Sequence, residues 1–191
     1  MTVATPQAVV IGASAGALDA LSAILPALPA DFRFPVMVVV HIPPDKQSVL
    51  AELLQAKCKI QVCEAADKQP LQGGMVYFAP PDYHLLIEEN GLLSLSSDEP
   101  VLFSRPSIDV LFESAADVYE DGLIGIVLTG ANSDGANGLA TIAANGGVAI
   151  VQDPSSAHNS IMPEAALKAV PAALIMGAKQ IAEYLGKVNM T

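Results

Sequence analysis

Val9-Val10-Ile11-Gly12-Ala13-Ser14-Ala15-Gly16-Ala17 decides how the chain is read. A short β-branched run stops at a glycine and turns through small residues. It then feeds a segment with Leu18, Leu21, Ile24 and Leu25 at helical spacing. That succession predicts a strand, a tight turn and a helix. Ser14 falls on the turn, at the C-terminal end of the strand, with the first amides of the helix close behind. A nucleophile needs such exposure, and the oxyanion it creates needs fixed N–H donors. Gly12 and Gly16 keep side chains clear of an incoming carbonyl. The same stretch also reads, without chemistry, as a tight helix start capped by Ser14.

The segments that follow repeat the alternation. Val36-Met37-Val38-Val39-Val40 is continuously apolar, which suits a parallel strand covered on both faces. It ends at His41, and Pro43-Pro44 prevents continuation. Residues 47–57 predict a helix and residues 60–63 a third strand. Further on, 107–119, 135–145, 163–169 and 178–187 predict helices, and 123–128, 148–151 and 173–176 predict strands. Between them, residues 75–78, 84–88 and 92–95 are short and turn-bounded, with Asn90-Gly91 as a hairpin dipeptide. The expected fold is one α/β domain over 1–191. Its doubly wound, mostly parallel sheet lies in a Rossmann-like three-layer sandwich, with an antiparallel hairpin excursion near residues 73–98.

Composition narrows the function classes. The 191 residues are 52% hydrophobic with no tryptophan, enough for a sizeable core. A formal net charge of −11 argues against a nucleic-acid partner. The N-terminus lacks a positive region and a long apolar core, so no secretory signal is expected. The most apolar run, residues 34–40, is too short to span a bilayer, so no membrane insertion is expected. Cys58 and Cys63 fit no common zinc spacing and are expected to be reduced thiols of a cytoplasmic protein.

In open parallel sheets, functional groups gather outside the C-terminal strand ends. Ser14, His41, Asp134 and Asp153 stand at such ends. Serine, histidine and aspartate form the set for nucleophilic acyl transfer: attack, proton transfer and fixation of the imidazole tautomer. Asp153, in Gln152-Asp153-Pro154, reads as a turn former. His84 reads as structural and His158 as part of a surface loop. Gly12-x-Ser14-x-Gly16 also fits the nucleophile elbow of α/β-hydrolases, but there the serine follows several earlier strands and the acid precedes the histidine. A dinucleotide-binding loop would want glycine where Ser14 stands.

A longer set of motifs runs in order along the chain: 11–14 (Ile-Gly-Ala-Ser), 40–44 (Val-His-Ile-Pro-Pro), 78–84 (Phe-Ala-Pro-Pro-Asp-Tyr-His), 105–112 (Arg-Pro-Ser-Ile-Asp-Val-Leu-Phe), 128–130 (Leu-Thr-Gly), 134–136 (Asp-Gly-Ala) and 162–165 (Met-Pro-Glu-Ala). This set resembles the catalytic domain of CheB-type protein-glutamate methylesterases of bacterial chemotaxis. The resemblance implies a nucleophile at Ser14, a general base at His41 and an acid at Asp134, with no metal or organic cofactor. It implies hydrolysis of γ-methyl glutamate esters on the cytoplasmic helices of methyl-accepting chemoreceptors, with deamidation of specific glutamines alongside. Backbone amides near Ala15 and Gly16, helped by the Ala131 loop, are the oxyanion candidates. Arg105 is the candidate for contacting the receptor surface, or else forms a salt bridge at the helix start.

Two loops depart from the family pattern. Ala15-Gly16-Ala17 stands where the family carries Thr-Gly-Gly, and Ala131-Asn132 replaces a Met-Gly pair before the acid. The change at Ala131 and Asn132 motivates a rival reading, a non-catalytic partner-binding module; a general small-ester hydrolase is a third. Full-length family members carry a phosphoacceptor receiver domain that covers the cleft. No such domain is read here, so the expectation is an open cleft, indifferent to phosphodonors and controlled by a separate protein if at all.

Overall fold

β1 (Ala8–Ala13) is fully buried along its length and runs through the middle of a seven-stranded sheet. The computed structural model describes residues 7–42 and 49–190. After β1 come α1 (Ala17–Ile24), β2 (Val36–Val40), α2 (Leu50–Gln55), β3 (Gln61–Glu64) and β4 (Met75–Phe78). A hairpin of β5 (His84–Ile87) and β6 (Leu93–Ser96) precedes α3 (Ile108–Tyr119). The chain closes with β7 (Leu123–Val127), α4 (Ala136–Ala144), β8 (Val148–Gln152), α5 (Ile161–Ala169), β9 (Leu174–Met176) and α6 (Ala178–Val188). The Pro43-Pro44 stop and the expected start of the second helix at Gln47 lie outside the described residues.

The main sheet runs β3-β4-β2-β1-β7-β8-β9, and every pairing in it is parallel. Alternate residues of the inner strands feed separate cores. Val9, Ile11 and Ala13 join Val36, Val38 and Val40 on one face, beneath Leu21 and Ile24 of α1 and Ile181 and Leu185 of α6. Val10, Met37 and Val39 face the other way, against Ile108, Leu111 and Phe112 of α3, Leu139 of α4 and Met162 of α5. Burial on both faces explains why the strands read as unbroken apolar runs rather than alternating ones. Doubly wound sheets of this kind form three layers, as expected. Among the described residues no helix is long and apolar enough to cross a membrane.

The hairpin excursion is present but shorter than the turn signals suggest. β5 and β6 pair antiparallel, from His84 opposite Ser96 to Ile87 opposite Leu93. Met75–Phe78 instead enters the main sheet as a parallel strand between β2 and β3. The reason is two-sided burial. Val76 and Phe78 enter one core while Tyr77 enters the other, which only an interior strand provides.

The winding order places the site. From β1 the chain moves through β2 to one edge, then returns to the other side of β1 with β7. The two directions part at β1, and a crevice opens there at the C-terminal strand ends. Ile108 wedges this point from below. A Cβ at Gly12, the penultimate residue of β1, would overlap the Ile108 side chain. Gly12→Ala should therefore displace the start of α3 and destabilise the fold by about 1–3 kcal/mol. Urea unfolding checks this. A midpoint unchanged from the wild type would show that the wedge is not tight.

Candidate active site

Strand register brings the polar residues together. Ala13 pairs with Val40, and the His41 N–H donates to the Ala13 carbonyl at 3.1 Å. On the other flank, the Ser14 N–H donates to the Thr129 carbonyl at 2.9 Å. Ser14, His41 and Thr129 thus leave three adjacent strands side by side. Ser14 is half-buried, and its Oγ makes no hydrogen bond among the described residues.

His41 is held by Asp134. The imidazole Nε2 lies 2.7 Å from Asp134 Oδ2. Asp134 is fully buried and saturated with donors. Its Oδ2 also accepts the Ile108 N–H at 2.7 Å, while Oδ1 accepts the Ser107 hydroxyl and the Asp109 N–H, both at 3.0 Å. Ser107 is the N-cap of α3, so the carboxylate sits on the first free amides of a helix, where negative charge is favoured. Burial alone would raise its pKa. The His41 bond and the Asp109 and Ile108 amides outweigh that and hold the carboxyl below its usual range. An ionised Asp134 accepts only, so Nε2 carries a proton, and in the neutral imidazole Nδ1 is the accepting nitrogen.

The amides of Ala15 and Gly16 have no hydrogen-bond partner among the described residues, and neither does that of Ala131. Gly16 has φ 83°, a left-handed conformation that turns the chain sharply into α1. Thr129 Oγ1 donates to the Ala15 carbonyl at 2.8 Å and fixes the loop from behind. The exposed His158 packs its Cβ against Gly16, so this surface loop also borders the serine turn. Asp153 caps a 3₁₀ turn by accepting from the backbone and hydroxyl of Ser155.

A cleft of about 310 Å³ opens beside His41, lined by Ile42, Asp82, Phe103, Arg105 and Pro106 among others. Arg105 lies there with its guanidinium already engaged. It bonds Asp82 through Nε and Nη2 at 3.0 and 2.6 Å, and the Ser97 and Asp98 carbonyls through Nη1. This is the salt-bridge alternative for Arg105, and it pins the loop that walls the cleft. His84 is buried; its Nδ1 accepts the Ser107 N–H at 3.1 Å and its Nε2 faces the Glu99 carbonyl at 3.0 Å. It therefore braces the α3 cap, a structural task as expected.

Residues the sequence reading passed over complete the site. Ser107 was visible only as a helix start. Asp109, 4% exposed, accepts from the Gly135 and Gly138 amides at 3.0 and 2.7 Å. It caps α4, whose N-cap Gly135 directly follows Asp134. Burial pushes the Asp109 carboxyl up to about 6, the Gly138 amide opposing this and the Asp134 charge adding to it. Folded protein therefore binds a proton at Asp109 that the unfolded chain has released. The resulting stabilisation is present below about pH 4 and is lost as pH rises through about 6. Asp109→Asn keeps an acceptor for both amides and cannot ionise. Its stability should rise relative to the wild type between about pH 4 and pH 7, by roughly 2–3 kcal/mol. Thermal unfolding across that range checks this, and a pH-independent difference between the two proteins would contradict it.

Known proteins resemble the chain in sequence and in fold. The CheB methylesterase family model matches residues 9–185. A Leptospira interrogans protein is 50% identical over 183 residues, covering 96% of this chain and 95% of the relative. The protein-glutamate methylesterase/protein-glutamine glutaminase of Clostridium acetobutylicum is 35% identical over 182 residues, which are 95% of this chain and 53% of that protein. The crystal structure of the Thermotoga maritima CheB methylesterase catalytic domain superimposes with a TM-score of 0.92 at 32% identity, covering 97% of this chain and all of that one. On its sequence and its fold alike, the chain belongs to the CheB methylesterase family.

Proposed function

We propose that the chain is a serine hydrolase that removes γ-methyl esters from glutamates on the cytoplasmic helices of methyl-accepting chemoreceptors, and deamidates specific glutamines there. The observation that carries this reading is the His41–Asp134 hydrogen bond of 2.7 Å at the strand end beside Ser14. Family membership supplies the reaction class.

Ser14 Oγ attacks the ester carbonyl and its proton passes to His41 Nδ1. Asp134 keeps Nε2 protonated and stabilises the imidazolium that forms. The Ala15 and Gly16 amides are free to receive the oxyanion. A single preorganised donor of this type contributes about 10²–10³ in rate. His41 returns the proton to the leaving oxygen, and methanol departs. Water then attacks the acyl-enzyme, again through His41, and glutamate is released. With a glutamine substrate, ammonia leaves in the first half-reaction instead.

Two outcomes check the reading. Ser14→Ala should lower methanol release from a methylated receptor fragment by several orders of magnitude while the protein stays folded. Near-normal turnover by that variant would sink the serine mechanism, and equal loss with a small chromogenic ester that is otherwise the better substrate would favour a general esterase. Asp134→Asn should cost about a thousandfold or more, by releasing the wrong tautomer. Asp153→Asn should cost little, because Asp153 only shapes its own turn. The reverse ranking would refute the assignment of the acid.

A further inference from the structure

Asn132 stands one loop residue away from Asp134 and touches the other nitrogen of the same imidazole. Its Nδ2 lies 3.2 Å from His41 Nδ1. Its Oδ1 accepts the Asp134 N–H at 3.1 Å, which fixes which way the amide faces. The group toward His41 is therefore the NH₂, which can only donate. Nδ1 must then be the accepting nitrogen, in agreement with a proton on Nε2 shared with Asp134. The lone pair that the reaction needs for the Ser14 proton is occupied, and Ser14 Oγ has no hydrogen bond among the described residues.

We propose that Asn132 is a positioning residue that holds the basic nitrogen of His41 in the resting site, so that Ser14 must displace its amide before it can be deprotonated. The inference rests on the assignment of His41 as the base for Ser14. Asp134 alone is enough to fix the tautomer, since an ionised carboxylate bonded to Nε2 places the proton of the neutral ring there and its lone pair on Nδ1. The Asn132 amide therefore adds little to tautomer choice and competes directly with the nucleophile. Glycine at this position would have no side chain to reach the ring, so the restraint belongs to the asparagine itself.

Two substitutions separate this restraint from a purely structural part in the loop. Asn132→Ser retains an oxygen for the Asp134 N–H but is too short to reach the imidazole; Asn132→Gly removes both contacts. The probes are a small fluorophosphonate, which reports how readily Ser14 is activated, and a small chromogenic ester. Both variants should react about fivefold faster with the fluorophosphonate, the rate equivalent of one ordinary net hydrogen bond. For the ester, kcat should rise with KM unchanged. The ¹⁵N resonance of His41 Nδ1 should move toward that of an unbonded ring nitrogen in both. Rates equal to or below the wild type in both variants, or an unchanged Nδ1 resonance, would overturn the proposal. So would slowing in Asn132→Gly that Asn132→Ser restores, since that is the signature of a loop brace. Ser14→Ala, run alongside, should take up no fluorophosphonate; if it labels fully, the nucleophile assignment itself has failed rather than the role of Asn132.

Discussion

Two helix N-termini exchange carboxylates, and the site hangs on that exchange. Asp134, immediately before α4, is bound by the first amides and the cap of α3. Asp109, in the first turn of α3, is bound by the first amides of α4. Each helix thereby has orphan donors satisfied by its neighbour, and each acid gains a positive helix end. The two acids are shifted in opposite directions. Asp134 is held charged, which an imidazole partner requires, whereas Asp109 is eased toward the neutral form by burial and by the charge of Asp134. The Asp134 carboxylate is thereby held by four hydrogen bonds.

That clamp reaches the serine through Ile108. Its amide holds Asp134 and its side chain fills the space that Gly12 and Gly135 leave by lacking a Cβ. Gly135 has φ 93°, so glycine serves both the left-handed turn and the close approach. β1, the Asp134 loop and α3 are thus locked at one residue. The parallel register then sets His41 beside Ser14, and the Thr129 carbonyl holds the Ser14 amide. Rigid placement of this sort supplies the orientation on which nucleophilic catalysis draws.

Much of this was legible beforehand, for identifiable reasons. Strands buried on both faces leave unbroken apolar runs, so β1, β2 and β7 could be placed closely, and strand-end polar residues could be gathered at one edge. Met75–Phe78 could not be placed the same way. A strand of four residues bounded by turns looks alike whether it pairs in a hairpin or slots into the main sheet, and only the partner strands decide. Asp109 was hidden because its task depends on α4, which is distant in sequence and adjacent only after packing. Asn132 was visible as a departure from a pattern, but its contact with His41 depends on how the loop turns. Arg105 was open between two tasks, and the crowd of acceptors around its guanidinium is a property of the folded loop alone.

In the proposed mechanism one hydroxyl, on Ser14, carries the hydrolysis of the methyl ester. Titration of the native protein with a tight-binding fluorophosphonate, read in parallel by methanol release from methylated receptor fragment and by peptide mass spectrometry, tests it most directly. The account predicts that activity falls in proportion to labelling and reaches zero at one phosphonyl group per chain, located on Ser14. Methanol release that persists when Ser14 is fully labelled, or loss of activity that tracks a label on another residue, would contradict it.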